Sequence, residues 1–264
     1  MRAAQRDGRL LGALLLMAAA VAGAQPRGIP QNELRSGISF AGNDLRAQQA
    51  DDFSNPGMLW VERGAKLWNS APAAGAPSCA ACHGDAKTSM KGVATRHPAF
   101  DAKANRLFNL EGRINQCRAA NQKASPFAPE SEDLLAMTAF VAHQSRGLAF
   151  EVAIDGPARP HFERGRDFYY RRVGQMNLSC AQCHEQNWGR RLLTETISQG
   201  QPNAYPIYRL EWQTAGSLHR RLRSCLSGVR AELLPVGAPE FVDLELFLAW
   251  RAQGLKIETP GVRR

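Results

Sequence analysis

The sequence is poor in several features, and each shortage narrows the reading. Only one sustained apolar run occurs, residues 10–24. That is shorter than the roughly 20 residues a membrane-spanning helix needs, which excludes a polytopic membrane protein. Six cysteines in 264 residues are too few for a disulfide-built scaffold, so each calls for its own explanation. Lysine is scarce: 6 of the 33 basic residues, against 27 arginines. No methionine follows Met176, and no long apolar–polar alternation marks a strand. What is present is globular. Hydrophobic residues make up 44% and charged residues 22%, which excludes chain-wide disorder, and the length suggests about two domains.

The apolar run has a basic start at Arg2, Arg6 and Arg9 and ends in Ala22-Gly23-Ala24. That pattern predicts a cleaved signal peptide over residues 1–24, hence export to the periplasm and no membrane span in the mature chain. Cleavage leaves 30 basic and 23 acidic residues, a net charge of +7. Arginine grips oxyanions through a planar fork, but charge alone does not choose among nucleic acid, an anionic protein and a small anion.

The chain repeats itself. Glu62-Arg63-Gly64 recurs as Glu163-Arg164-Gly165, and Cys79-Ala80-Ala81-Cys82-His83 recurs as Cys180-Ala181-Gln182-Cys183-His184, both at an offset of 101. Arg113 precedes Cys117 by four, and Arg221 precedes Cys225 by four; here the offset is 108. Phe140-Val141-Ala142-His143 resembles Phe247-Leu248-Ala249-Trp250. Two copies of one module follow: residues 55–153 and 162–264, joined by a Gly/Pro-bearing linker, 154–161, and preceded by a polar extension, 25–54. Acidic starts, helical apolar stripes and terminal glycines predict helices over Glu132–Gln144 and Glu240–Arg251, with further helices at Met58–Trp68 and Phe162–Val173. The expected fold is mostly α: two tandem cytochrome c-like domains.

Cys-x-x-Cys-His is the attachment motif of c-type haem. Cys79, Cys82, Cys180 and Cys183 would form the thioether links, and His83 and His184 would ligate the irons, giving two covalently attached haem c groups. Two CxxC pairs sharing one zinc, or a redox-active CxxC, are the competing readings. The opposite ligand is open in the first copy among Met90, His97, Cys117, Met137 and His143. In the second copy it is open among His219, Cys225 and Lys256. Cys117 and Cys225 occupy matching places and could pair as a disulfide; one thiolate ligand per haem explains the repetition better. Arg221 lies one helical turn before Cys225, on the same face, where it can stabilise a thiolate and hold an anion. The five tryptophans are expected to pack around helices and porphyrin.

The stretch Leu210–Cys225, continuing to Glu232, together with both CxxCH motifs and Ile114-Asn115-Gln116-Cys117, resembles the SoxA family of dihaem cytochromes c, over essentially the whole mature chain. The resemblance implies that Cys117 ligates the first haem. It also implies that Cys225 ligates the active-site haem and carries a persulfide, and that Arg221 is an active-site residue. It further implies a SoxX-like small cytochrome c as heterodimer partner and transient contact with a SoxYZ carrier. The implied reaction joins thiosulfate oxidatively to a carrier cysteine, an L-cysteine S-thiosulfotransferase activity. No nucleic acid partner is expected. A plain periplasmic dihaem electron carrier with structural Cys117 and Cys225 is the competing class, and a dihaem peroxidase is a third.

Overall fold

A computed structural model describes residues 28–264; the expected signal peptide lies outside the described residues. Among the described residues, ten α-helices carry most of the regular structure. They are α1 (Asn43–Ala50), α2 (Met58–Asn69), α3 (Cys79–His83), α4 (Ala86–Ser89), α5 (Leu110–Asn121), α6 (Glu132–His143), α7 (Arg159–Tyr170), α8 (Cys180–His184), α9 (Leu218–Gly228) and α10 (Pro239–Arg251). Between them run short strands. The hairpin β1 (Ala99–Asp101)–β2 (Arg106–Phe108) precedes α5. The hairpin β3 (Arg191–Leu192)–β4 (Glu195–Thr196) follows α8. In a three-stranded sheet, β6 (Thr214–Gly216)–β5 (Ile207–Arg209)–β7 (Gly261–Arg263), the first two strands form a hairpin that precedes α9 and the third, after α10, pairs parallel with β5. No helix among the described residues is long and apolar enough to cross a membrane.

The ERG repeat marks two helix crossings. Gly64 of α2 lies against α6 so closely that an added Cβ would sit 2.2 Å from the Ala136 carbonyl oxygen. Gly165 of α7 does the same against α10, with 2.0 Å to the Asp243 carbonyl oxygen. Only glycine lets the backbones approach this far. The arginine beside each glycine ties the same pair of helices: Arg63 to Asp133 at 2.7 Å, and Arg164 to Asp243 at 2.7 Å. A sequence signal noticed only as repetition is therefore the packing determinant of both modules.

The repeat extends into the hairpins at the 108 offset. β1 pairs Asp101 with Arg106, and β5 pairs Arg209 with Thr214. Each hairpin then enters a side-chain-capped helix. The Asn109 side chain accepts from the Gly112 N–H to start α5, and the Ser217 side chain accepts from the Arg220 N–H to start α9. Such caps are worth about 1 kcal/mol each. The offset grows from 101 to 108 in the interval between CxxCH and hairpin, where the first module carries α4 and the second carries β3–β4.

The second module has the larger core, built on Phe162, Tyr169, Phe241, Leu244, Phe247 and Trp250; Phe150 and Val152, from the end of the first module, join it. The first module packs around Trp68, Leu110, Met137 and Val141. The polar extension docks on the second module. Gln199 accepts from the Arg35 N–H and donates to the Glu33 carbonyl, and Gln49 accepts from the Val262 N–H. The segment expected as linker ends early: Pro160 sits in the first turn of α7, where its missing N–H costs nothing.

Candidate functional site

Each CxxCH forms one short helix of its own. Ser78 caps α3 by accepting from the Ala81 N–H, and Ser179 caps α8 by accepting from the Gln182 N–H. The helical turn brings the two thiols, three residues apart, to one side, with the histidine adjoining them. The two motifs stay apart. Among the described residues no group of three or more His, Cys, Asp or Glu is close enough to hold a metal ion, so the four thiols do not meet in one zinc site.

The remaining cysteines divide between the motifs. Removal from water pushes the Cys79 thiol up, and the neighbouring charge of Cys117 adds to the rise. Burial likewise pushes the Cys180 thiol up to about 12, with Cys225 adding to it, and Cys225 also raises Cys183. Cys117 thus stands by the first motif and Cys225 by the second, and none of the six cysteines is in a disulfide.

The histidine of the second motif is fitted for iron. His184 Nδ1 donates to the Ser198 carbonyl oxygen at 2.8 Å, which leaves Nε2 as the free lone pair. A hydrogen bond of this kind fixes both tautomer and ring orientation in metal-bound histidines. Gly200, at φ +70°, makes room for the ring: an added Cβ would lie 2.9 Å from its Cγ. Burial lowers the His184 pKa to about 4, so the imidazole is neutral and able to ligate. Behind it, fully buried Arg251 of α10 pairs with Glu185 at 3.3 Å and lies over the Tyr169 ring. The first motif is looser. Cys82 and His83 are exposed, and the ring of Trp68 lies 5.7 Å from that of His83 while its Nε1 donates to the Gly84 carbonyl. Both donor sets, two thiols and an adjoining imidazole, fit covalently attached haem.

Of the other candidate histidines, His97 donates from Nδ1 to the Val93 carbonyl and keeps a buried Nε2 without a partner, and His143 donates from Nδ1 to the Thr259 carbonyl. His219 Nδ1 accepts the Gly237 N–H, which puts its proton on Nε2, aimed at Glu245 at 3.1 Å. His219 and Glu111, which occupy equivalent positions at the 108 offset, face a cavity of about 60 Å³ between the modules. There removal from water, reinforced by Glu245 and Glu130, pushes the Glu111 carboxyl up to about 8.

The two arginines differ most. Arg113 pairs with Asp101 at 2.7 Å, donates to Gln116 at 2.6 Å and lies over the Phe108 ring. No carboxylate among the described residues comes within ion-pair distance of Arg221. Burial works against its charge, and the charges of Cys225, Tyr205, Glu211 and Glu195 more than offset this, so the guanidinium stays protonated. Arg221 and Cys225 stand out in the sequence, whereas Asp101 carries no local signal; its counterpart at the 108 offset, Arg209, has the opposite charge.

Similarity to known proteins is extensive. The SoxA/TsdA cytochrome c domain family matches residues 63–150; a cytochrome c domain carries covalently bound haem c. The L-cysteine S-thiosulfotransferase subunit SoxA of Pseudaminobacter salicylatoxidans is 42% identical over 91% of this chain and 85% of its own. That of Paracoccus pantotrophus is 37% identical over 86% of this chain and 78% of its own. The crystal structure of SoxXA from P. pantotrophus superposes with a TM-score of 0.83 at 37% identity, covering 87% of this chain and 86% of that one. With likeness of that extent in both sequence and fold, the chain belongs to the SoxA family of L-cysteine S-thiosulfotransferase subunits.

Proposed function

We propose that this chain is the catalytic dihaem subunit that joins thiosulfate to a cysteine of a SoxY-type carrier. Its second module holds the reaction site, and a SoxX-like small cytochrome c is its stable partner. The observation that carries the reading is the pairing of Cys225, beside the second CxxCH, with an arginine that no carboxylate neutralises. In this reading Cys79 and Cys82 link one haem, with His83 and Cys117 as ligands. Cys180 and Cys183 link the other, with His184 and Cys225. Haem supplies one-electron acceptors to chemistry that must remove two electrons, because thiosulfate and a thiol are both nucleophiles.

The residues of the chain divide the task. Arg221 holds the sulfonate oxygens in its fork beside Cys225. Cys225 sulfur bonds to the sulfane sulfur of thiosulfate, releasing two electrons and leaving Cys225–S–S–SO3⁻. The carrier thiolate then attacks the sulfane sulfur, the Cys225–sulfur bond breaks, and Cys225 leaves as thiolate while the carrier keeps the S–SO3⁻ group. Covalent catalysis of this kind splits one difficult step into two. Contact with the carrier is transient, since the product must leave. Export by the signal peptide over residues 1–24 puts the reaction in the periplasm.

Mass spectrometry of the denatured holoprotein should show two haems and report any extra sulfur on Cys225. Thiosulfate-dependent haem reduction should vanish in Cys225→Ala and persist in Cys117→Ala. A plain electron carrier would keep ordinary transfer in both, and that result would overturn the reading.

A further inference from the structure

The reason Arg221 is unneutralised can be read from the hairpins. Asp101 at the end of β1 and Arg209 at the end of β5 hold the same register position in equivalent hairpins. Asp101 takes Arg113 at 2.7 Å. Arg209, of opposite charge, takes a carboxylate itself: its Nη2 donates to Glu211 Oε2 at 2.8 Å. Arg209 is held in place, only 7% exposed and with its guanidinium 5.2 Å from the Trp212 ring centroid. Glu211 is the exposed member, its side chain 55% exposed on the turn that follows. Glu211 and Glu195 are the carboxylates whose charges act on Arg221. Glu195 already faces Arg264 at 3.8 Å. The bond to Arg209, first, and then the charges of Arg209 and Arg221 hold Glu211 ionised.

We propose that Arg209 is a positioning residue that keeps Glu211 off Arg221 and so reserves the Arg221 guanidinium for an anion. Deprived of Arg209, Glu211 turns onto Arg221 as Asp101 turns onto Arg113, and its carboxylate competes with the sulfonate of thiosulfate. One register position, acidic in one module and basic in the other, thereby decides which module has a free arginine. This inference rests on the proposed role of Arg221 as anion anchor.

The test uses holoprotein with its cytochrome partner and compares Arg209→Gln, Glu211→Gln and the double variant. KM for thiosulfate and kcat are read in the carrier-coupled assay, and thiosulfate Kd by calorimetry at fixed ionic strength. Arg209→Gln should raise KM and Kd about tenfold with kcat at saturation retained, the scale of one charge-assisted hydrogen bond. Glu211→Gln added to it should return both close to the parent values; a loss caused by general damage would not be rescued. If Arg209→Gln does not fold, Arg209→Lys keeps the charge and the stem over Trp212 but loses the fork, and should show a smaller rise, again removed by Glu211→Gln. No rise in KM, or a rise that Glu211→Gln leaves in place, overturns the proposal. Arg221→Lys is the reference. If it changes neither KM nor Kd, the anchor reading falls and the role of Arg209 with it. If it raises both while Arg209→Gln does not, only the role of Arg209 falls.

Discussion

The first module leaves its CxxCH exposed at Cys82 and His83 and clamps its arginine with Asp101. The second backs its CxxCH with Ser198, Gly200 and the buried Arg251–Glu185 pair, and leaves its arginine without a carboxylate. Both copies start from the same helix crossing, hairpin and capped cysteine helix. The difference teaches that the scaffold alone does not make a reaction site. A cysteine and an arginine one turn apart occur twice; what surrounds them decides whether the arginine can answer a substrate or only its own neighbour.

The largest expected contrast is at the cysteines. Cys225→Ala should reduce carrier-coupled turnover to background, whereas Cys117→Ala should keep turnover within the same order of magnitude and change the spectrum of the first haem; both are read in one coupled assay with visible spectra. Equal losses in the two variants would erase the distinction between modules. Next come the arginines. Arg221→Lys keeps the charge but not the fork and should cost roughly 100- to 1,000-fold in kcat/KM, the usual range for losing one oxyanion-holding group. Arg113→Lys, at an arginine already paired, should fall within a few-fold.

The helix crossings sharpen the comparison from the side where the modules agree. Gly64→Ala and Gly165→Ala each press a methyl into a facing carbonyl, and overpacking of this kind costs about 1–3 kcal/mol. Thermal unfolding followed by circular dichroism should show a lowered Tm for both. A silent Gly165→Ala would mean that α7 and α10 separate at little cost.

A pH-dependent effect lies between the modules. Glu111 has a folded pKa of about 8, above its ordinary carboxyl value of 4.5, because the cavity removes it from water beside Glu245 and Glu130. Between those values the folded state binds more protons than the unfolded one, so this contribution is full at acid pH and is lost as pH rises toward 8. Denaturant unfolding at pH 5 and pH 8 should show the decline, and Glu111→Gln should flatten it.

Much of this was legible in residues. The CxxCH repeats, the matching Arg-x-x-x-Cys segments and the helices at 132–143 and 239–251 follow from short-range spacing, because a helical turn fixes which side chains share a face. The ERG repeat was visible, but its meaning was not: that Gly165 touches Asp243 depends on a contact across 78 positions. The docking of residues 33–49 on the second module was equally hidden, since its polar side chains carry no periodic signal and bind by single hydrogen bonds to Gln199 and Val262.

The sequence by itself determined the haem-attachment motifs, the mostly helical fold class and the candidate cysteines and arginines, since each rests on residue type at fixed local spacing. Only the tertiary structure decided which arginine is free. That depends on whether a side chain from a neighbouring hairpin is a carboxylate within reach, as Asp101 is for Arg113, or an arginine turned to Glu211, as Arg209 is. Electrostatic pairing acts through space over a few ångströms, and the chain brings those groups together only when the hairpin folds against the helix.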